Sequence, residues 1–147
     1  MIKRIAMAGV VAMALGWTAA HADSKSGGKA VLVPVGDLKW VDDAKTPGVK
    51  IAAVQGDQSK GAGTFFVKLP TGFSVPLHHH SADHFAAVIS GTMVLNVDGK
   101  DVTLPPGSYF AFTGKKQHTT KCADDAGCVL LVTTKSKWDV VVEKPKS

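Results

Sequence analysis

Arginine is almost absent from this chain: of its 17 basic residues only Arg4 is arginine, and every cation beyond it is a lysine. Bidentate grips on phosphate, guanine or a dicarboxylate normally use the arginine fork, so the composition argues against a nucleic-acid partner and against a dedicated clamp for doubly charged anions. The lysines are scattered, with Lys115-Lys116 the only adjacent pair, and read as a solvated surface. Glutamate is equally scarce, Glu143 being the only one, which leaves few candidates for general acid–base work. With 147 residues there is room for one ordinary domain. Beyond residue 22 no stretch keeps a helical period for three turns, and no apolar run is long enough to span a bilayer.

The first 22 residues are set apart. Lys3 and Arg4 form a basic start, Ile5 to Leu15 is an uncharged apolar run, and Ala20-His21-Ala22 has the small-x-small pattern at which signal peptidases cut. This predicts a secretory signal peptide over 1–22 and a periplasmic or secreted protein, with no membrane attachment once the signal is removed. Its loss leaves 15 lysines against 12 acidic groups, a net of +3. Export also changes how the two cysteines are read. Cys122 and Cys128 bracket a polar turn, and in an oxidising compartment they predict a hairpin disulfide rather than a metal motif or a redox dithiol.

After a small polar leader (23–29), the domain over 30–147 has the period of short strands. Runs with β character are Ala30–Val35, Ile51–Val54, Thr64–Leu69, Phe73–Leu77, Phe85–Ile89, Thr92–Val97, Val102–Leu104, Tyr109–Phe112, His118–Lys121, Val129–Thr134 and Trp138–Glu143. Residues 37–49 read as an irregular connection. Asp98-Gly99 is a hairpin signal between two of the runs. The pattern predicts an all-β sandwich or barrel.

Five histidines remain after signal removal: His78, His79, His80, His84 and His118. On a strand alternate residues share a face, so His78 and His80 point together, about 6.6 Å apart at ~3.3 Å per residue, and His79 points away. His84 has the same parity, just past the corner Ser81-Ala82-Asp83. Four imidazoles on one face point to one divalent transition metal held by His78, His80, His84 and His118, the nitrogen donors favouring Zn, Fe(II), Cu or Ni over harder ions. Free histidines would let metal bind better as pH rises through about 6–7. Asp83 has the opposite parity and reads as a residue that caps the corner. Phe65, Phe66, Phe73, Phe110 and Phe112 read first as packing, around a small and rather apolar cavity.

The spacing Gly72-x5-His78-x-His80-x3-His84-x6-Gly91 resembles the first cupin motif, G-x5-H-x-H-x3-E-x6-G, with histidine in place of the acidic ligand. Gly107 to Cys122 is similar to the second motif, G-x5-P-x-G-x2-H-x3-N. There His118 holds the ligand slot, and Thr113, Lys115 and Cys122 replace the proline, second glycine and asparagine. These core motifs span 72–122 and look most like single-domain cupins related to the cupin part of an anti-sigma factor, and more distantly like acetylacetone-cleaving dioxygenases.

The resemblance implies a single-domain jelly-roll barrel, a divalent metal near its mouth, and frequently a homodimer. Exchanging the ligand glutamate for histidine leaves such a site at formal +2. Two functions from different classes follow: a metal-dependent oxidoreductase of dioxygenase type acting on a small molecule, or a non-catalytic exported cupin that binds or senses a metal or small ligand. The fold family does not choose between them.

Overall fold

Short runs of Val, Phe, Thr and Leu alternate between burial and exposure along much of this chain, and most of them become strands. The computed structural model describes residues 28–144. The predicted signal peptide and most of the leader therefore lie outside the described residues. Among the described residues there are eleven strands: β1 (Val41–Asp42), β2 (Lys50–Gly56), β3 (Gly63–Leu69), β4 (Ser74–His79), β5 (His84–Ser90), β6 (Met93–Val97), β7 (Lys100–Leu104), β8 (Tyr109–Phe112), β9 (His118–Cys122), β10 (Cys128–Thr134) and β11 (Val141–Val142). They form two antiparallel sheets, ordered β1-β2-β3-β10-β5-β8 and β11-β4-β9-β6-β7. The architecture is all-β and of jelly-roll type.

The alternation in β10 shows how sequence sets the packing. Cys128, Leu130, Val132 and Thr134 are buried, while Val129, Leu131 and Thr133 face away. The core lies between the sheets, with Phe65, Val88 and Leu130 from one sheet against Met93 and Cys122 from the other. At ~25 cal/mol per Å² of apolar area, burial of this kind stabilises by about 1.5–3 kcal/mol per large side chain.

Three strand expectations are corrected. The run Ala30–Val35 joins neither sheet: Val31, Leu32 and Val33 are exposed, and Pro34, which has no backbone N–H to give to a ladder, leads into a single turn of 3-10 helix at Val35–Asp37. Within the connection over 37–49, Val41 and Asp42 do pair, with Ile51 and Lys50. Trp138–Glu143 is strand only at Val141–Val142: Trp138 lays its ring on His80 and Asp139 turns its carbonyl to the same histidine instead of pairing in a ladder.

The Cys122 and Cys128 sulfurs lie 2.04 Å apart, at disulfide distance, with Cα atoms 5.9 Å apart. They do not close a hairpin ladder. β9 and β10 belong to different sheets, so the pair ties the two layers together where the chain crosses between them. Gly91, the last residue of the first motif, packs onto this junction with φ +76°. A Cβ there would meet the Gly127 carbonyl at 2.4 Å and the Cys128 sulfur at 2.8 Å, so only glycine fits. The intact mass of unreduced protein should be two hydrogens below that of the dithiol form. Two free thiols in unreduced protein would contradict the linkage.

Candidate metal centre

The three histidines that gather most closely come from two neighbouring strands. β4 and β9 pair antiparallel with His78 opposite His118, after an irregularity in register between Val75 and His78. His80 follows directly on the end of β4. One ligand atom from each of His78, His80 and His118 lies within 4.8 Å of the others, and all three residues are buried. His84 comes from the other sheet, on β5, opposite Phe112 and Thr134. Its ring is buried, 4.4 Å from that of His80 and 6.2 Å from that of His118, and it lies beside the close group of three rather than within it. His79 has the opposite parity, and its Nδ1 pairs with Glu143.

Backbone carbonyls fix the imidazoles. The Nδ1 atoms of His78, His84 and His118 each face the carbonyl two residues earlier: Pro76 at 2.8 Å, Ala82 at 3.5 Å and Lys116 at 3.0 Å. His80 Nδ1 instead faces the Asp139 carbonyl, from the C-terminal segment. A proton on Nδ1 shared with a carbonyl leaves the lone pair on Nε2, the tautomer suited to metal ligation. Burial pushes His80 down to about 3 and His84 and His118 to about 4, and it lowers His78 by the same cause. All four rings are therefore neutral at physiological pH. A proton no longer competes near pH 6–7, as exposed histidines would require, but only well below it.

Two aromatics complete the setting. Phe112 stacks on His118 with centroids 3.7 Å apart and planes within 5°, and Trp138 stacks on His80 at 4.2 Å. Trp138 also meets Phe65 at 5.5 Å and His84 at 5.1 Å, so one indole touches two of the histidines and the core. The segment is anchored by Trp138 N–H donating to the Gln58 carbonyl at 2.8 Å, and by Ser81 N–H donating to the Asp139 carboxylate at 2.7 Å. No sequence signal marks this role, since an indole opening an apolar run reads as an ordinary strand aromatic. Trp138→Ala should weaken metal binding about 10- to 100-fold, the usual cost of losing a group that orients a ligand. Trp138→Phe, which keeps a stacking face, should recover most of it in a chelator-competition titration.

The histidines open into a cavity of about 660 Å³ inside the barrel, lined by apolar side chains of both sheets, among them Ile51, Val67, Phe110 and Leu130 from one and Val75 from the other, with polar and charged groups beside them. This is an ordinary volume for a small-molecule site. Asp83 is turned away: its carboxylate accepts from Gly114 N–H at 3.0 Å and caps the corner beside the site.

A sequence-family profile described as "Cupin domain" matches residues 65–134. These bounds enclose all four histidines, and the surrounding fold is the family's own. The chain belongs to the cupin superfamily. Among solved structures, this cupin is similar to the polyketide cyclase RemF from Streptomyces resistomycificus, with 17% identity, TM-score 0.64, and 81% of this chain and 89% of that one covered. It is also similar to a predicted oxalate decarboxylase from Thermotoga maritima, with 20% identity, TM-score 0.59, and 71% and 98% covered. A cupin-superfamily sugar phosphate isomerase from Silicibacter pomeroyi has 23% identity, TM-score 0.58, and 71% and 74% covered. No curated protein matches the chain. Identities this low establish the fold alone.

Donor chemistry fits the metal that cupins commonly bind. Three buried, neutral imidazoles with mutually close ligand atoms are a borderline-soft nitrogen set, suited to a divalent transition ion.

Proposed function

We propose that this chain is an exported cupin in which His78, His80, His118 and His84 hold one divalent transition metal, and that it acts as a metal-dependent oxidoreductase of dioxygenase type on a small, largely apolar molecule. The observation that carries this reading is the continuity of the three-histidine cluster with the 660 Å³ cavity: a ligand in the cavity would reach the metal position directly. His84 joins from the opposite sheet, a ring's width from His80. A metal held there would supply Lewis-acid polarisation and, if redox-active, access to oxygen chemistry.

The protein's own groups have narrower tasks. Pro76, Ala82, Lys116 and Asp139 carbonyls hold the rings in register, Trp138 and Phe112 cover two of them, and the apolar wall keeps water from the bound molecule. Proton transfer is thinly provided: Asp83 and Glu143 are engaged outside the cavity, and the two lining carboxylates, Asp43 and Asp139, accept from the backbone N–H groups of Lys45 and Ser81. That scarcity favours a second reading, a non-catalytic cupin that binds a metal or small ligand. The small-molecule substrates of the polyketide cyclase, decarboxylase and isomerase support a ligand in the barrel under either reading. Export rests on the Lys3–Ala22 signature and agrees with the cysteine pair at disulfide distance.

Oxygen uptake separates the two. Metal-loaded protein incubated with the small molecules of its own compartment should consume oxygen in a substrate-dependent way, and His118→Ala should abolish it. A protein that takes up metal and ligand, consumes no oxygen and returns the ligand unchanged is a carrier.

A further inference from the structure

Formal charge around the cavity is balanced without a metal. Its lining carries two aspartates, Asp43 and Asp139, and two lysines, Lys45 and Lys137, while the imidazoles add nothing. The one glutamate, which would be the natural anionic ligand of such a site, lies outside the lining and pairs with His79. Asp83 is spent on Gly114 and Asp139 on Ser81. A divalent ion held by histidines alone would therefore bring two positive charges into a cavity with many apolar side chains and no carboxylate bound to the ion. Uncompensated charge in such surroundings is costly, and the ion draws an anion to itself.

We infer that the molecule this cavity takes is an organic monocarboxylate with an apolar body, its oxygens directed at the histidine cluster and its body lying between Phe73 and Phe110. The inference rests on the metal-binding reading above and narrows it to a substrate class. The two lining lysines are matched in number by Asp43 and Asp139, and with no arginine after residue 4 there is no fork for a phosphate or a dicarboxylate. At 660 Å³ the cavity has room for a body of several carbons.

The test titrates hexanoate, and its neutral isostere hexanamide, into the exported protein loaded with Co(II), following the visible spectrum and the heat of binding. Hexanoate should bind at least tenfold more tightly than hexanamide and perturb the cobalt bands, and it should bind the metal-free protein at least tenfold more weakly. His84→Glu, which supplies the missing negative charge, should keep the metal and lose most of the preference for the anion. If cobalt itself fails to bind, the metal reading falls. If cobalt binds but hexanoate shows no advantage over hexanamide, or the same advantage without metal, the carboxylate assignment is wrong while the metal site stands.

Discussion

Alanine at His78, His80 or His118 is expected to lower metal affinity by roughly 100-fold or more, and alanine at His79 to leave it unchanged. Structural sites in small domains are worth about 10–16 kcal/mol spread over four ligands, so each lost nitrogen removes on the order of 3 kcal/mol. The contrast depends on parity along β4. His78 and His80 are buried on the barrel side with their ligand atoms beside His118, whereas His79 turns out to Glu143. His84→Ala measures the fourth ligand: a loss comparable to the other three places it on the metal, and an unchanged affinity leaves an open three-histidine centre. Equal losses at all five positions would mean that the register of β4 is wrong.

The metal-free protein should become less stable as the pH falls from about 6.5 toward 4. An imidazole held at about 4 when folded, but near 6.5 when unfolded, takes its proton more readily in the unfolded chain. Its contribution is therefore fully present above pH 6.5 and is lost progressively as the pH drops toward the folded value. His80, held at about 3, extends the loss further down, and four such rings act together. Most carboxylates titrate below this window, so the fall in Tm between pH 6.5 and 4.5 belongs mainly to the histidines. Bound metal should delay the fall to lower pH, because protons must then displace it. A metal-free Tm that stays level from pH 7 to 4.5 would show that the rings are solvated rather than buried.

Much of the barrel is legible in the residues because two-residue alternation carries it. Phe85–Ile89, Tyr109–Phe112 and Val129–Thr134 are strands at almost the bounds their patterns imply, since apolar side chains on one face have only the core to fill. Where the pattern misleads, tertiary context decides. Val31–Val35 has strand composition but finds no paired edge, and Val41–Asp42, with no apolar alternation, becomes a strand because β2 lies beside it.

The candidate site divides in the same way. The parity of His78, His79 and His80 follows from the pleat, and the meeting of His118 with His78 is a register between β4 and β9 that only the folded sheet displays. What the sequence hides is the third dimension. The sheet assignment brings His84 to the other three from the second sheet, it makes Cys122 and Cys128 a link between layers rather than across a hairpin, and the segment before β11 lays the Trp138 indole on His80. Burial likewise moves the titrations of His80, His84 and His118 well below the range that isolated side chains would show.

These imidazoles should hold a metal in the native protein, and elemental analysis by plasma mass spectrometry reads its content. The protein is purified from the compartment where it accumulates naturally, with no metal added and no metal-affinity column, beside a His78→Ala/His118→Ala double variant. The account predicts about one equivalent of a single divalent transition metal per wild-type chain and almost none in the variant. Wild-type protein that is folded yet carries no more metal than the double variant would contradict it.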